Sequence, residues 1–293
     1  PVAMHALTRG LSNVIVPREN AEEAAVARGL NVYGIRHLRE AVDHFKGDEP
    51  LTPVQIDVDA LSEQTGADVP DFADVKGQEM AKRAMEIAAA GGHNMLMIGP
   101  PGSGKTMLAR RIPSILPPLG LGEALEVTRI HSIAGTLSAD MPLIRNRPFR
   151  SPHHTVSDAG LLGGQSNPRP GDISLAHNGV LFLDELPEFR RSVLEVLRQP
   201  LENGEVTISR ASGSYTFPSN FMLVAAMNPC PCGHYGGLQR QCRCSFGQIQ
   251  RYRSRISGPL LDRIDLHIEV APISDDQLLG RRSGESSAVV RER

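Results

Sequence analysis

The chain has 293 residues, of which 40% are hydrophobic and 22% charged, and its formal net charge at pH 7 is −2. This size allows one large core or two domains, and the small net charge means that any DNA-binding surface must be a local stripe of Arg or Lys. Aromatic residues make up only 4% and Trp is absent, which disfavours base-stacking platforms. Because we find neither a membrane-spanning apolar run nor a signal peptide, we expect a soluble cytoplasmic protein with no membrane partner.

Residues 1–47 predict a small α/β segment. The stretches NVIV and NVYGI are typical of short strands, and HLREAVDHFKG predicts a helix that Gly47 ends. Asn20 and Glu23 have the spacing of a capping box at the start of another helix. Residues 48–71 are acidic and contain several prolines, so we interpret them as a linker.

From about Phe72 onward, strands and helices alternate. Three near-continuous apolar runs, NMLMI, GVLFLDE and FMLVAAM, are typical of buried parallel strands. With helices between them, these strands predict a doubly wound parallel α/β sheet. The stretch EFRRSVLEVLRQPL predicts a helix with one face on this sheet. Its apolar residues at helical spacing are Phe189, Val193, Leu197 and Leu201.

The strand NMLMI is followed by GPPGSGKT, which fits the pattern G-x-x-x-x-G-K-[ST]. In that pattern the glycines let backbone N–H groups wrap phosphates, Lys105 reaches the β and γ phosphates, and Thr106 binds Mg²⁺. The position between a strand and a helix favours this interpretation over a Gly-Pro turn with a chance Lys. The predicted nucleotide site consists of Gly99, Pro100, Pro101, Gly102, Ser103, Gly104, Lys105 and Thr106.

Two further strands end in polar residues that would complete such a site. GVLFLDE ends in Asp184, which would hold Mg²⁺, and Glu185, which could polarise the attacking water. Asn228 follows FMLVAAM and could orient that water near the γ-phosphate. The alternatives are two solvated acids and an ordinary Asn-Pro turn. The presence of the phosphate-binding motif favours the functional roles.

All four cysteines lie in one short stretch after Asn228, as two C-x-C pairs. Four thiols suit a closed tetrahedral Zn²⁺ site of the structural type, because four thiolates leave no open position for catalysis. Free thiols or two disulfides are the alternatives, and His234 is a reserve ligand. The predicted zinc ligands are Cys230, Cys232, Cys242 and Cys244.

A pair of adjacent histidines, His153 and His154, also suggests a metal site at first sight. Side chains of adjacent residues in an extended segment point to opposite faces, so both are not expected to bind one metal. Substrate contact or core packing is the favoured interpretation.

Several stretches together resemble AAA+ ATPases of the magnesium-chelatase-like type, and most of all the ComM/YifB group. They include DVKGQEMAKRAMEIAAAGGHNMLMIGPPGSGKT, RPFRSPHH, NGVLFLDELPEF, LVAAMNPCPCG and SGPLLDRIDLHIEV. The resemblance covers nearly all of residues 1–293. It implies an AAA+ P-loop NTPase with a doubly wound parallel sheet, preceded by the remnant of a Lon-protease-like α/β domain. The implied domains are 1–47, the C-terminal part of that N-terminal domain; 48–71, a linker; 72–275, the ATPase core; and 276–293, the start of a truncated helical lid.

The resemblance also implies roles for matching positions. GPPGSGKT is the Walker A motif, the acidic pair of GVLFLDE is Walker B, and Asn228 is sensor 1. Arg263 matches the arginine finger that reaches the γ-phosphate of a neighbouring subunit, which implies a homo-oligomer, expected to be a hexameric ring. From the residues alone, Arg263 would instead form a salt bridge with Asp262 or Asp265. The implied nucleotide contacts extend to Val75, Gly77, Gln78 and Met107.

Two inserts resemble elements that face the central pore in related rings. Residues 161–174 match the helix-2 insert, and residues 202–219 predict a β-hairpin in the position of the pre-sensor-1 hairpin. Arg169 and Arg210 are therefore candidates for contact with DNA phosphates. The alternative is that both are ordinary exposed arginines.

The resemblance implies a Mg²⁺-dependent ATPase that uses ATP to work as a ring motor on single-stranded or branched DNA. One alternative is a chelatase I-subunit role, in which ATP drives metal insertion into a porphyrin through a partner. Another, from a different class, is a nucleotide-switched scaffold that does not hydrolyse ATP. Glu185 and Arg263 argue against the scaffold.

Overall fold

The computed structural model describes residues 1–57, 69–137, 141–164, 168–210, 213–237, 240–272 and 284–293. The middle of the predicted linker, the tip of the predicted helix-2 insert, the hairpin turn, the first part of the predicted lid segment and the side chain of Arg210 lie outside the described part. By its internal contacts the chain divides into two compact units, one of Pro1–Gly66 with Leu119–Asn146 and one of Ala67–Pro118 with Arg147–Arg293. The predicted domain boundaries divide the chain differently, and they stay a prediction.

The helices are, in chain order, α1 Val2–Thr8, α2 Ala21–Ala25, α3 Leu38–Lys46, α4 Glu79–Gly91, α5 Lys105–Ala109, α6 Ile112–Ile115, α7 Leu121–Ala134, α8 Asp158–Leu162, α9 Asp172–Leu175, α10 Arg191–Glu195, α11 Arg198–Asn203, α12 Phe246–Arg253, α13 Gly258–Leu261 and α14 Ser287–Glu292. The strands are β1 Asn13–Pro17, β2 Asn31–Ile35, β3 Met95–Ile98, β4 Phe149–Arg150, β5 Gly163–Gly164, β6 Arg169–Pro170, β7 Val180–Leu183, β8 Glu205–Arg210, β9 Gly213–Pro218, β10 Met222–Met227 and β11 Leu266–Glu269. Within the described ranges, none of these helices has both the length and the apolar character needed to cross a membrane.

The first unit contains two parallel strands, β1 and β2, with Val14 opposite Val32. Both predicted strands are therefore confirmed, and α3 ends as predicted at Gly47, which is in the left-handed conformation. The predicted capping box is wrong, because Asn20 makes no side-chain cap hydrogen bond. Asn20 ends a 3₁₀ turn with φ −100° and ψ 0°, whereas a capping residue needs an extended backbone.

The second unit is built on a five-stranded sheet in the order β11-β3-β10-β7-β4. Every pairing in it is parallel. Val180 and Phe182 join the buried cluster on one face, whereas Leu181 and Leu183 join the cluster on the other. Because both faces are covered, the strands are apolar throughout. The predicted doubly wound sheet is confirmed.

Asn94 connects the central strands at the start of β3. Its side-chain oxygen accepts a hydrogen bond from the N–H of Leu223 at 2.8 Å, and its side-chain nitrogen donates to the carbonyl of Arg263 at 2.9 Å. Its own N–H donates to the carboxylate of Asp265 at 2.8 Å. A single residue thereby joins the first part of β10 to the chain entering β11.

The segment after β7 is not the single helix that its apolar spacing predicts. A 3₁₀ turn at Leu186–Glu188 comes first, and α10 and α11 are separated at residues 196–197. Pro200 has no N–H to donate to the carbonyl of Val196, four residues earlier, which accounts for the break. The predicted apolar face does pack against the sheet, through Phe189, Val193, Leu197 and Leu201.

Both predicted inserts have hydrogen-bonded backbone in their described parts. Strands β8 and β9 form the predicted antiparallel hairpin, with Glu205 opposite Pro218. In the predicted helix-2 insert, β5 and β6 form a short antiparallel ladder that ends at the exposed Arg169. Gly163 of this ladder has φ +103°, and a Cβ there would collide with the carbonyl oxygen of Arg169, so only glycine fits.

Phe182, in β7, is fully buried, and its loss should cost much of the stability of the sheet. We expect Phe182→Ala to lower the free energy of unfolding by about 3–5 kcal/mol, because it leaves a cavity. Phe246→Ala removes the same atoms from a residue that is 69% exposed, and should change the value by about 0.5 kcal/mol or less. Urea unfolding followed by circular dichroism measures both, and equal effects would contradict this account of the core.

Candidate nucleotide site and cysteine cluster

The loop between β3 and α5 requires its glycines. Gly102 and Gly104 have φ of +76° and +88°, a region that other residues adopt at a cost. A Cβ at Gly99 would collide with the carbonyl oxygen of Val270, and the N–H of Gly99 donates to the carbonyl of Met227 at 3.2 Å. The loop is therefore fixed at the carboxyl ends of β10 and β11, where open α/β sheets bind their ligands.

The ammonium of Lys105 is buried at the centre of this loop. Its Nζ donates to the carbonyls of Gly99 at 2.8 Å and Pro100 at 2.9 Å, and lies 3.4 Å from Oδ1 of Asn228. Burial lowers the pKa of this ammonium, and the two carboxylates that follow β7 oppose the shift. The cation is therefore held by oxygen atoms at the point where the sheet edge and the glycine loop meet.

Thr106 and Asp184 come together although they are 78 positions apart, with Oγ1 of Thr106 donating to Oδ2 of Asp184 at 2.6 Å. The other carboxylate oxygen of Asp184 accepts a hydrogen bond from the N–H of Glu185 at 2.9 Å. Hydroxyl and carboxylate oxygens are ligands that suit Mg²⁺, so the residues present fit that ion.

Glu185 adopts φ +54°, which is uncommon for a residue with a side chain. Its carboxylate faces His154, whose Nδ1 lies 3.3 Å from Oε2 of Glu185. The centres of the His154 and His153 rings are 4.1 Å apart. The His154 ring also lies edge-on to the ring of Phe189. The contact between His154 and Glu185 is not visible in the sequence, because the two residues lie in different segments that the sheet brings together.

Three of the further implied nucleotide contacts, Val75, Gly77 and Gln78, precede α4. Val75 is fully buried, Gly77 has φ +62°, and Gln78 has φ +57°. The side-chain nitrogen of Gln78 donates to the carbonyl of Ser103 at 3.3 Å and to that of Ala271 at 2.6 Å. Gln78 therefore links the glycine loop to the chain after β11, a structural task that the sequence does not indicate.

Asn228 lies directly after β10, and Tyr252 of α12 supports its backbone. The phenol of Tyr252 is hydrogen-bonded to the backbone of Asn228, and burial raises the pKa of the phenol to about 12. The phenol therefore stays neutral throughout the physiological pH range.

The four cysteine thiols converge. The Sγ–Sγ distances are 3.4 Å for Cys230 and Cys232, 3.7 Å for Cys230 and Cys242, and 3.6 Å for Cys232 and Cys242. All four Sγ atoms, including that of Cys244, lie within 4.8 Å of one another. Sulfurs about 2.3 Å from a tetrahedral Zn²⁺ would be about 3.8 Å apart, so this spacing fits such an ion. The four cysteines are free, so the disulfide alternative is not realised.

The surroundings favour ionisation of at least one thiol. Backbone N–H groups of Arg243 and His234 lower the pKa of the Cys232 thiol to about 6. The thiolate is the form of cysteine that binds metal. His234, the reserve ligand, lies outside the group of side chains that could share one ion, which in the described residues consists of cysteines alone.

Arg263 lies in the short segment between α13 and β11. Its guanidinium pairs with Glu202 and donates to the carbonyl of Pro259. The acidic partner therefore differs from both of those expected from the residues alone, Asp262 and Asp265. The structure brings Lys105 close to Asn228 and Thr106 close to Asp184. Arg263 instead contacts Glu202 and Pro259, which are not among the predicted site residues.

A parallel sheet with a glycine-rich phosphate loop after β3 and an acidic pair after β7 defines the AAA+ P-loop class of α/β fold, as predicted. A sequence profile of the family described as "Magnesium chelatase, subunit ChlI" matches residues 71–278, so the chain belongs to this family of AAA+ proteins.

Two bacterial proteins are similar in sequence to almost the whole chain. Competence protein ComM of Haemophilus influenzae is 47% identical over 294 residues, which are 99% of this chain and 57% of that protein. Uncharacterized protein YifB of Escherichia coli is 46% identical over 298 residues, with 100% and 57% covered. The chain therefore spans somewhat more than half the length of these relatives, and the resemblance to the ComM/YifB group is confirmed.

A solved structure supports the fold. It is described as the complex between subunits BchI and BchD of magnesium chelatase, and it matches with a TM-score of 0.51 and 23% identity. The match covers 75% of this chain and 69% of that chain. At this identity the likeness shows the fold alone.

Because Gln78 donates to two backbone carbonyls, Gln78→Glu should be destabilising. A carboxylate would face those carbonyls without a proton to donate, and we expect the free energy of unfolding to fall by about 1–3 kcal/mol. Gln199→Glu makes the same change at an exposed position and should have little effect. Urea unfolding of the two variants at pH 7 compares them, and a neutral Gln78→Glu would show that these hydrogen bonds contribute little.

Proposed function

We propose that the chain carries the nucleotide site of a Mg²⁺-dependent AAA+ ATPase. The observation that supports this most directly is the convergence of Lys105, Thr106, Asp184 and Asn228 at one edge of the sheet, with donor–acceptor distances of 2.6 Å between Thr106 and Asp184 and 3.4 Å between Lys105 and Asn228. ATP phosphates would lie against the backbone N–H groups of the glycine loop.

Each polar residue of the site has a distinct task in this proposal. Lys105 would exchange its carbonyl acceptors for oxygens of the β and γ phosphates. Thr106 and Asp184 would hold Mg²⁺, which when bound would supply positive charge to offset that of the phosphates. Glu185 accepts the proton of the attacking water, and Asn228 orients that water. The remaining predicted nucleotide contacts are Val75, Gly77, Gln78 and Met107.

We propose further that the protein works as a homo-oligomeric ring, expected to be hexameric. Arg263 of one subunit would then complete the site of its neighbour, since an arginine supplied in trans can contribute about 10³–10⁵-fold to phosphoryl transfer. Assembly would require Arg263 to exchange its pairing with Glu202 for the phosphate of the neighbouring subunit.

The proposed substrate of the motor is DNA, single-stranded or branched. Support comes from the similarity to competence protein ComM and from the hairpin of β8 and β9, beside the insert that exposes Arg169. Arg210 is the second proposed phosphate contact. Because the chain spans 57% of that relative, the activity of the whole protein is part of the proposal.

A chelatase-like role is the second candidate. In it, ATP use would drive metal insertion into a porphyrin through a partner protein, and the description of the matching family favours it. Glu185, as the proposed general base, and Arg263, as the proposed trans-acting arginine, both disfavour a nucleotide-switched scaffold without hydrolysis.

We also propose that Cys230, Cys232, Cys242 and Cys244 hold one structural Zn²⁺ as four thiolates. Three Sγ–Sγ distances of 3.4, 3.7 and 3.6 Å, close to the edge of a zinc–sulfur tetrahedron, support this. The ion would fix a loop that follows Asn228 directly.

The proposed motor should hydrolyse ATP faster on DNA. We expect steady-state hydrolysis by the full-length protein to rise several-fold with single-stranded or forked DNA, and Glu185→Gln to lower it by about 100-fold or more by removing the general base. Glu188→Gln is the matched control, because the carboxylate of Glu188 pairs with Arg255 at an exposed site and has no role in the proposed chemistry. This variant should leave the rate nearly unchanged.

Different outcomes separate the candidate functions. A rate that ignores every DNA would rule out the motor, and a rate that rises only with a porphyrin-binding partner would favour the chelatase-like role. Tight ATP binding without turnover in the unaltered protein would favour the scaffold.

The proposed trans arginine predicts recovery of activity on mixing two inactive variants. Arg263→Ala keeps its own phosphate loop, whereas Lys105→Ala keeps its arginine, so one kind of mixed interface is complete. In a ring assembled at random from equal amounts of the two variants, about one quarter of the interfaces would be of this kind, and we expect ATP hydrolysis near that fraction of the unaltered rate. Hydrolysis no higher than in either variant alone, after co-assembly is verified by light scattering, would contradict an arginine acting in trans.

A further inference from the structure

The cysteine cluster touches the phosphate loop. We define the cysteine loop as residues 229–244, of which 229–237 and 240–244 are described. Its first turn closes with a hydrogen bond from the N–H of Gly233 to the carbonyl of Cys230 at 2.9 Å. A Cβ at Gly233 would lie 2.5 Å and 2.7 Å from Cδ and Cγ of Pro101, so the backbone of this turn lies directly against the phosphate loop.

The cysteine loop has little apolar surface with which to hold that position. In its described part only Pro229, Cys230 and Gly233 are buried, and Tyr235 is exposed. Burial of so few small residues does not offset the entropy of ordering a loop of this length. A metal ion bound by four side chains of the loop supplies binding free energy that can order it.

The start of the cysteine loop is anchored on its other side by α12. The Nε of Arg253 donates to the carbonyl of Pro229 at 3.2 Å, and the guanidinium lies 5.4 Å from the centre of the Tyr235 ring. The turn itself carries Cys230 and Cys232 of the sulfur cluster, and its Gly233 lies against Pro101. The position of the turn against Pro101 therefore depends on how firmly the cluster is held.

We propose that the metal-loaded cysteine loop is a brace for the phosphate loop, and that zinc occupancy sets the affinity of the site for ATP. The inference rests on the proposed ATP and zinc sites. With Zn²⁺ bound, the turn holds Pro101, and Gly102–Lys105 keep the conformation that wraps phosphates. Without it, the four thiols no longer have a common partner, the turn leaves Pro101, and the phosphate loop samples other conformations.

The size of the effect follows from how often the binding conformation is populated. If loss of the brace lowers that population to about one tenth, the apparent affinity for ATP falls about tenfold. The effect requires no direct contact between zinc and nucleotide.

Metal removal is the first test, on the full-length protein. Elemental analysis should give one zinc per chain, and a fluorescent ATP analogue in excess Mg²⁺ should bind about tenfold more weakly after treatment with a chelator selective for Zn²⁺. Restoring zinc should restore the affinity. Circular dichroism and the melting temperature verify that the stripped protein stays folded.

Two glycines of the cysteine loop provide a matched pair of variants. Gly233 and Gly236 have nearly equal φ, +81° and +77°, so alanine introduces similar backbone strain at both. At Gly236 a Cβ would meet nothing within 4 Å, whereas at Gly233 it would meet Pro101. We expect both variants to bind one zinc, Gly233→Ala to bind the ATP analogue about tenfold more weakly, and Gly236→Ala to bind it normally.

The failures are distinguishable. If the protein binds zinc and nucleotide, but neither metal removal nor Gly233→Ala changes the affinity, the brace is wrong while the proposed ATPase stands. If the unaltered protein contains no zinc, the zinc site and the brace both fail. If it binds no nucleotide, the proposed ATPase itself fails.

Discussion

A positive charge buried at the edge of the sheet is the constraint on which the second unit depends. An ammonium removed from water is costly unless oxygen atoms surround it, and Lys105 finds them in two carbonyls of its own loop and in the amide of Asn228. That arrangement requires a loop tight enough to expose its carbonyls and two neighbouring strands that end at the same level. Parallel pairing of β3 with β10 meets the second requirement.

The parts of the structure with abundant apolar surface and those with little are held in different ways. The sheet is fixed mainly by burial on both faces, and Asn94 adds a polar link at one end of it. The loops around the candidate site have little to bury, so specific bonds fix them instead: the amide of Gln78, the phenol of Tyr252 and the convergent sulfurs. Loss of one such bond therefore removes most of what holds its loop, whereas the sheet tolerates many small changes.

Much of the fold could be predicted from the sequence, because continuous apolar runs can only be buried strands and GPPGSGKT specifies its own turn. The failures have local physical causes. The capping box depended on the backbone angles of Asn20, which its neighbours set, and the long helix was interrupted by the missing N–H of Pro200. The contact of His154 with Glu185 and that of Gly233 with Pro101 join segments distant in sequence. Such contacts leave no pattern that a single sequence can display.

Asn94 fixes the register of three strands from the end of the sheet opposite the nucleotide site. Its side-chain oxygen accepts from Leu223 of β10, and its side-chain nitrogen donates to the carbonyl of Arg263, just before β11. Because β10 and β11 both run parallel to β3, a register fixed at this end also sets the level at which each strand ends. The positions of Asn228 and Val270 beside the phosphate loop therefore depend on an amide at the far end of the sheet.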